Sequence, residues 1–451
     1  MILESALVTY YEEIRAALRD LLGRGENTGS GDFTPGVELP ELTPAMREYL
    51  SVSGVRHAPM GDYRGKSLSL LDLTGNPATL TTKTFASLII VARAVRYIQD
   101  TGERITIVTP SSANKATAMR DAVLRAVNTG LVTAEQLNVV VVVPERSVAK
   151  LRSSELFTDP LLRDRNPVCV YRGEQPGTVK TIARGLVDND RELMETERKT
   201  HLWYTLQLEN YLAADVVRAF AEAEHFPPAA DRPRLHAHAV SSAYGLLGHA
   251  YGRSILPEAD RARSLPSRYF LVQHLGAPDM VLSLYNDGTV DEAHRPAYVH
   301  RPQDGMYVQE QDPHFPAVTF DPYETLDPTF YTRNPPTSAR MNELIGRQGG
   351  GGIVVSLAEC LQRYGQARTL LGAAGVQLPA NPTAVREWSL TMAVVGVLNA
   401  VDRGLVTEDD ILVHGSGSYS AGDFDPLTLR DLHAVQDAES LRHVVLDATV
   451  L

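Results

Sequence analysis

Short runs rich in valine, isoleucine and leucine alternate with helix-like segments from about residue 68 onward, and this alternation constrains the fold most strongly. The run NVVVVVP at 138–144 is apolar on both faces, which is typical of a strand buried inside a parallel sheet. Apolar residues between such runs recur at helical spacing. The pattern predicts an α/β protein with mostly parallel sheets and right-handed crossovers. The other strand-like runs are SLSLLDL, RITIVTP, PVCVYRG, LHAHAVSS, YFLVQHL, GIVVSLAE and DILVHGS.

The chain has 451 residues, which is enough for two or three domains with well-buried cores. We expect a small α/β domain over 84–185 and a large α/β domain formed by 68–83 together with 186–451. Residues 1–67 are expected to form an N-terminal helical segment that packs on the large domain. The Pro-rich, aromatic stretch 286–336 is expected to form long loops or an insertion.

Composition excludes several classes of partner. Hydrophobic residues make up 43% and charged residues 22%, the balance of a soluble globular protein. The net charge of −12 argues against nucleic-acid binding and against electrostatic binding to anionic membranes. No stretch is apolar enough to cross a membrane, and the start of the chain lacks the features of a signal peptide, so we expect a cytoplasmic protein. The cysteines, Cys169 and Cys360, are too few for a disulfide framework or a cysteine metal site.

Common nucleotide and hydrolase motifs do not fit. The stretch GNPATLTTKT has Leu80 where a phosphate-binding P-loop needs its second glycine. The GGGG run at 349–352 precedes a strand, whereas phosphate loops follow one. No Gly-x-Gly-x-x-Gly follows a strand, and GSGSYSAG does not match Gly-x-Ser-x-Gly. His236 and His238 share one face of a strand, but without a third ligand in the sequence nearby a metal site is less favoured than two ordinary polar positions.

Four strand-to-loop corners carry chemistry-bearing residues, and their order is informative. They are NPATLTTKTF at 76–85, SSANKATA at 111–118, SSAYGLLG at 241–248 and HGSG at 414–417. In this order they resemble the lysine loop, the Ser-Ser-Gly-Asn loop, the phosphate loop and the closing Ser/Thr-Gly-x-Gly of the pyridoxal-phosphate enzymes of fold type II. The segment GGGGIVVSLAECLQRYG also resembles that family, and the likeness is closest to threonine synthase.

The resemblance implies two three-layer α/β lobes with pyridoxal 5′-phosphate held between them. It implies that Lys83 binds the cofactor covalently and acts as the catalytic base. It assigns Asn114 to the cofactor's 3′-hydroxyl, and His414 or Ser416 to the pyridine nitrogen. The residues expected at the cofactor phosphate are Ser241, Ser242, Ala243, Tyr244 and Gly245. The residues expected at the substrate carboxylate are Thr82, Ser111, Ser112, Ala113 and Asn114.

Physical chemistry supports these assignments and leaves simpler ones open. A lysine at the positive end of a helix has a lowered pKa, as attack on the cofactor requires. The simpler alternative for Lys83 is a solvated surface lysine at a helix start capped by threonine. Backbone amides at a helix start receive carboxylates and phosphates, but Ser112 as an ordinary helix cap explains the same hydroxyls. The SSAY corner also fits an ordinary strand-to-helix turn.

The resemblance implies β- or γ-elimination or replacement on an amino acid, with Lys83 removing the α-proton. Thr84 and Phe85 stand where the family has an Asp-Arg pair, which favours a specialised biosynthetic enzyme. Family habit implies a homodimer. These departures from the family's motifs also motivate an alternative, a non-catalytic relative that keeps the fold as a binding or regulatory protein. A third hypothesis is an α/β enzyme that uses a nucleotide.

Overall fold

The structure is a computed structural model that describes residues 2–23, 32–330 and 332–450. Each apolar run of the sequence forms a strand, because β-branched residues pack well on a pleated surface. In chain order the strands are β1 (Ile2–Leu3), β2 (Val55–Tyr63), β3 (Lys66–Asp72), β4 (Arg104–Pro110), β5 (Leu137–Pro144), β6 (Val168–Tyr171), β7 (Thr200–Tyr204), β8 (Arg234–Ala239), β9 (Arg268–His274), β10 (Val299–Arg301), β11 (Met306–Val308), β12 (Val318–Thr319), β13 (Gly350–Val355), β14 (Asp410–Gly415) and β15 (His433–Val435).

Helices connect most of these strands, as the alternation predicts. In chain order they are α1 (Ala6–Thr9), α2 (Tyr11–Gly23), α3 (Pro44–Leu50), α4 (Lys83–Thr101), α5 (Asn114–Asn128), α6 (Glu155–Thr158), α7 (Pro160–Arg165), α8 (Thr178–Glu197), α9 (Leu208–Asp215), α10 (Val217–His225), α11 (Tyr244–Ile255), α12 (Glu258–Arg261), α13 (Asp279–Tyr285), α14 (Ser338–Gln348), α15 (Leu357–Gln362), α16 (Tyr364–Ala373), α17 (Ser389–Asp402) and α18 (Ala438–Ala448). Short 3₁₀ turns cover Glu145–Lys150, Glu292–His294, Pro382–Ala384 and Leu429–Asp431.

The chain divides into two compact units, each built from separate stretches of sequence. Of the described residues, the first unit contains 2–3, 55–75 and 215–423. The second unit contains 4–23, 32–54, 76–214 and 424–450.

This division differs from the expected boundaries. Residues 4–23 and 32–54, expected to pack on the large domain, belong to the second unit, and so do 76–83, 186–214 and 424–450, which were expected in the large domain. The reason is strand pairing. Helix α8 runs through residue 197 into β7, which pairs with β4, and β15 pairs with β6.

The first unit is built on a seven-stranded sheet in the order β1-β2-β3-β14-β8-β9-β13. The pairs from β3 to β13 are parallel, while β1, β2 and β3 pair antiparallel. Helix α17 is buried along nearly its whole length and packs in the core with these strands. Because parallel strands end at the same edge of a sheet, the corners after β8 and β14 lie at one edge.

The Pro-rich stretch 286–336 belongs to the first unit and contains a small sheet of its own. Strands β10, β11 and β12 pair antiparallel in that order. Val299, the first residue of β10, and Tyr323, which follows β12, are largely exposed.

The second unit is built on a parallel sheet in the order β15-β6-β5-β4-β7. Every residue of β5 is buried, which confirms NVVVVVP as a strand inside a parallel sheet. Helices α8 and α18 pack on Val108, Val140 and Val142. Helices α4 and α5 pack on each other and contact β4 and β5. The α/β class with mostly parallel sheets is therefore confirmed. Among the helices that the structure describes, none combines the length and hydrophobicity needed to cross a bilayer.

Candidate functional site

Lys83 is the first residue of α4 and follows the loop 76–82 in the second unit. The loop is held by Asn76, whose side-chain amide donates to Asp121 at 2.8 Å. Leu80 has a φ of +50°, a left-handed conformation that is uncommon outside glycine. The hydroxyl of Thr81 accepts a hydrogen bond from the Lys83 backbone N–H at 3.3 Å. The loop therefore ends in a sharp turn that fixes where the lysine helix begins.

The Lys83 side chain lies beside other cationic groups. Its Nζ is 5.2 Å from the centroid of the Tyr211 ring, within cation–π distance. Lys115, the second residue of α5, is buried, and its amine donates to the backbone carbonyl of Thr205. Burial first, and then the positive charges of Lys83 and Lys180, hold the pKa of Lys115 well below its usual range. Burial and these neighbouring charges together favour the neutral form of Lys115.

The SSAN corner joins the end of β4 to the start of α5. The hydroxyl of Ser111 accepts hydrogen bonds from the backbone N–H groups of Ala113 at 3.1 Å and Ala116 at 2.9 Å. Ser111 is therefore the residue that caps this turn by its side chain, rather than Ser112. Its O–H proton stays available to donate, and Ser112 is half-buried.

Ala113 holds a conformation that ordinary residues avoid. Its φ is +133° and its ψ is −60°, and its side chain is fully buried. Only glycine adopts positive φ without a steric penalty. In the fold type II loop that this corner resembles, glycine stands at this position. This chain has alanine there and still adopts a backbone conformation that favours glycine.

The SSAY corner repeats this arrangement in the first unit, between β8 and α11. Ala243 has a φ of +53° and a ψ of 23°, and Tyr244 begins the helix. The hydroxyl of Thr337 donates to the backbone carbonyl of Ser242 at 2.8 Å, which anchors the loop. A Cβ on Gly245 would lie 2.9 Å from the ring of His238, so that no larger residue fits there without movement.

The closing corner follows β14. Its loop is anchored at the carbonyl of Gly417, which accepts hydrogen bonds from the backbone N–H of Leu390 at 3.2 Å and the hydroxyl of Ser389 at 3.1 Å. Ser416 is half-buried, whereas His414 is fully buried. The Ser416 hydroxyl oxygen is itself buried, so exposure does not separate the two candidates for the pyridine nitrogen.

Both ring nitrogens of His414 already have partners within the first unit. Arg218 lies 3.1 Å from Nδ1, and Nδ1 of His236 lies 3.0 Å from Nε2. Burial and then the charge of Arg218 hold the pKa of His414 well below its usual range. The ring is therefore neutral near neutral pH and enclosed by other side chains.

The third ligand that the sequence did not show near His236 exists in the fold. Glu222, His236 and His249 are all buried, and one possible ligand atom from each lies within 4.8 Å of the others. His238, two residues from His236, is outside this cluster. Nothing in the spacing along the sequence indicated it, because strand register and the α10 and α11 helices bring the three together.

The structure brings the predicted site residues together in two groups. Lys83 and the SSAN residues belong to the second unit, where α4 and α5 pack side by side. The phosphate-loop residues and the closing corner belong to the first unit, after the paired strands β8 and β14. Sequence reasoning missed Lys115, Lys180 and Arg218. Only Lys115 gave a signal, as a lysine inside a motif of otherwise small and polar residues.

Solved threonine synthases share this fold. The Escherichia coli enzyme has a TM-score of 0.52 at 14% identity, covering 96% of this chain and 96% of that chain. The yeast enzyme has a TM-score of 0.53 at 10% identity, covering 99% and 90%. A pyridoxal-phosphate-bound threonine synthase from Brucella melitensis has a TM-score of 0.50 at 11% identity, covering 98% and 85%. The chain thus has the threonine synthase-like fold, fold type II of the pyridoxal-phosphate enzymes.

The sequence itself places the chain in a family. Residues 2–449 match the family model described as "Family of unknown function (DUF6002)", and the chain belongs to that family. Comparison with curated proteins gives no match.

Proposed function

We propose that this protein is a pyridoxal-phosphate-dependent enzyme that carries out elimination or replacement at Cβ or Cγ of an amino acid. Lys83 binds the cofactor covalently, Asn114 meets its 3′-hydroxyl, and residues 241–245 bind its phosphate through backbone amides. The Ser111–Ala113 turn, with Thr82 beside Lys83, receives the substrate carboxylate. Bound pyridoxal phosphate supplies the electron sink that allows the α-proton to leave.

Backbone conformation at the three predicted loops carries this proposal. Leu80, Ala113 and Ala243 account for three of the seven non-glycine residues with positive φ in the described part of the chain. Each precedes the helix whose first amides would face a ligand. Such conformations cost about 1–3 kcal/mol each, and strained backbone of this kind clusters at active sites and ligand-binding loops. A protein that had lost its ligand would gain nothing from keeping all three strained backbone conformations.

The lysine group gives the chemistry its base. Lys83 must be neutral to attack the cofactor and to take up the substrate α-proton. Because the charges of Lys83 and Lys115 disfavour each other, the pair loses its first proton below the ordinary lysine range. The half-buried position of Lys83 leaves it open to a ligand, whereas Lys115 is buried.

At the pyridine nitrogen we assign Ser416 rather than His414. Both nitrogens of the His414 ring are engaged by Arg218 and His236, so a turn toward a ligand would break a buried hydrogen bond. A serine hydroxyl leaves the pyridine nitrogen largely unprotonated. This favours elimination and replacement, in keeping with the assigned reaction class. The absence of an Asp-Arg pair after Lys83 supports a specialised biosynthetic role, and we expect a homodimer.

The test is an absorbance spectrum of the purified protein after incubation with pyridoxal phosphate, followed by borohydride reduction and peptide mass mapping. We expect a band between about 400 and 430 nm, a property of the lysine-bound cofactor. Reduction should fix the added mass on the peptide that contains Lys83. Lys83→Ala should lose the band, whereas Lys115→Met, a matched control that removes a neighbouring lysine, should keep it.

Other outcomes would replace this proposal. Mass fixed on Lys115 would move the covalent role to that residue. A wild-type protein that stays colourless with added cofactor would favour the alternative, a non-catalytic relative that keeps the fold as a binding or regulatory protein. Stabilisation by nucleotides but not by pyridoxal phosphate would favour a nucleotide-using enzyme instead.

A further inference from the structure

We infer that Arg218 is a positioning residue that links the phosphate-loop helix to the closing corner and holds His414 in one tautomer. The contacts that support this inference all lie within the first unit, whereas its link to the cofactor rests on the proposed function. Nothing in the sequence comparison assigns Arg218 a role.

Arg218 occupies a central place in the first unit. It is the second residue of α10, and its side chain is fully buried. Its Nε donates to the Asp215 carboxylate at 2.6 Å, so the buried charge is paired. Its Cζ lies 3.3 Å from the point where a Cβ on Gly245 would stand. Another nitrogen donates to Nδ1 of His414 at 3.1 Å. One side chain thus contacts both the start of α11 and the end of β14.

The position of Arg218 fixes the direction of the hydrogen bonds beyond it. A guanidinium has donors only, so Nδ1 of His414 must accept. A neutral His414 then carries its proton on Nε2 and donates it to Nδ1 of His236, 3.0 Å away. By the same argument His236 carries its proton on Nε2, which lies 3.6 Å from the Glu222 carboxylate.

A second branch ends at the same carboxylate. His249 Nε2 lies 2.8 Å from Glu222, and its Nδ1 lies 3.0 Å from the Tyr269 hydroxyl. An ionised carboxylate only accepts, so His249 donates through Nε2 and accepts from Tyr269. Arg234 donates to Glu222 at 2.9 Å. Glu222 thus accepts hydrogen bonds from His249 and Arg234. The buried Nε2 of His236, 3.6 Å from that carboxylate, makes no hydrogen bond with any residue that the structure describes.

This proton order argues against a metal ion in the Glu222, His236 and His249 cluster. A metal ion would need the lone pair of His236 Nε2. In the arrangement of protons set by Arg218, that nitrogen carries a proton and has no lone pair to give. Shifting that proton to Nδ1 would leave His414 without a nitrogen able to accept from Arg218. The Arg234 guanidinium beside Glu222 already supplies a positive charge that a metal would otherwise provide.

The consequence for the site is mechanical. Both ring nitrogens of His414 are engaged within the network, which supports the assignment of the pyridine nitrogen to Ser416 in the proposed function. Because Arg218 also lies against Gly245, the phosphate loop and the closing corner are fixed relative to each other by one side chain. Substitution of Arg218 should therefore loosen both together.

The experiment has two readouts, and the first needs no cofactor. Protein with ¹⁵N-labelled histidine is examined by long-range ¹H–¹⁵N NMR, with His414→Gln and His236→Gln used for assignment. We expect His414, His236 and His249 to be neutral with the proton on Nε2. A proton on Nδ1 of His414 in the wild-type protein, or about one equivalent of bound metal by elemental analysis, would overturn the inference.

The second readout is the dissociation constant for pyridoxal phosphate. Arg218→Met should raise it about tenfold or more, as expected for loss of hydrogen bonds to a charged group. Arg218→Lys, which keeps the charge, should recover part of the loss. Arg268→Met, which removes an ion pair with Glu408 elsewhere in the unit, is the control and should change it little. Equal effects of Arg218→Met and Arg268→Met would contradict a positioning role.

The two readouts separate this inference from the proposed function. If the wild-type protein shows the expected tautomers but takes up no cofactor, the proposed function fails and the role of Arg218 in holding His414 stands. If the cofactor binds but the tautomers differ, the inference fails and the proposed function stands. Should Arg218→Met not fold, Arg218→Lys compared with Arg268→Met carries the second readout, while the NMR test on the wild-type protein is unaffected.

Discussion

Ala113 and Ala243 stand at equivalent places in two different helices: each is the last residue before the first helical turn, and each has positive φ. One begins α5 in the second unit and the other begins α11 in the first. An alanine Cβ is strained in this region, whereas glycine is not. Their conformations differ, with ψ of −60° at Ala113 and 23° at Ala243, but both are unfavourable for alanine, which supports the proposal that these helix starts bind a ligand.

Ala113→Gly and Ala243→Gly should each stabilise the protein. Release of the strain gains about 1–2 kcal/mol, and the more flexible unfolded chain returns part of it, which leaves a gain of about 1 kcal/mol. Urea titration measures the change in the free energy of unfolding. Ala122→Gly, inside α5, is the control and should destabilise by about 1 kcal/mol. Loss of stability at all three positions would show that the positive φ carries no strain.

Gly245→Ala should weaken the phosphate loop. The added Cβ would stand 2.9 Å from the His238 ring and 3.3 Å from Arg218, both of which are buried. We expect a loss of about 1–3 kcal/mol, as for other overpacked buried sites. Gly346→Ala, in α14 with nothing within 4 Å of its Cβ position, should be neutral or stabilising. Thermal unfolding of the two variants side by side decides this, and equal shifts would refute the contact.

Stability should fall as the pH drops below the ordinary histidine range. Burial holds the pKa of His236 and His414 well below 6.5, so both are neutral in the folded protein. The unfolded chain takes up protons on both from about pH 6.5 downward, which favours unfolding. The free energy of unfolding should therefore be fully retained above about pH 6.5 and decline below it.

Variants test which histidines produce this slope. His414→Gln should flatten the decline between about pH 5 and pH 7, because one buried group that resists protonation is gone. His443→Gln changes an exposed histidine of α18 and should leave the slope as it was. A slope that is the same in the wild-type protein and His414→Gln would mean that His414 already takes up its proton in the folded state.

Lys83→Met should raise the pKa of Lys115. The charge of Lys83 is one of the causes that lower it, so its removal shifts the pKa back toward the ordinary lysine value, while burial still keeps it below. Protein with ¹³C-labelled lysine gives the titration from the Cε shift as a function of pH. Lys66→Met, which removes a lysine of the first unit, should leave the Lys115 titration unchanged. An unchanged titration in Lys83→Met would show that the charge of Lys83 does not affect the pKa of Lys115.

Local patterns in the sequence were enough for most strands of the two large sheets, but β7 and β15 were not predicted, and β2 lies within 1–67, where a helical segment was expected. The run at 138–144 could be read as a buried strand because its apolar character depends on neighbours along the chain. The motif loops could be placed for the same reason, since each spans a few residues. The role of Ser111 as a cap, however, depends on which hydroxyl reaches the amide groups, and this is a matter of backbone angles rather than composition.

The network around Glu222 could not be found in this way. Its members come from two helices and from strands far apart in sequence, and only the parallel register brings His414 opposite His238 and places His236 opposite Tyr269. The assignment of sequence stretches to the two units differed from expectation for the same reason. Nothing within 433–435 indicates that these residues pair with β6.

That last pairing bears on the order in which the protein can be made. The edge of the five-stranded sheet is β15, and α18 covers α8 beside it, yet both come from beyond residue 430. During synthesis the first 214 residues leave the ribosome with the β6 edge and one face of α8 uncovered. The whole of the first unit must be translated before that surface is closed. A nascent chain of this protein therefore carries an incomplete sheet from residue 214 until β15 has been made, and this is the interval in which it most needs protection from other chains.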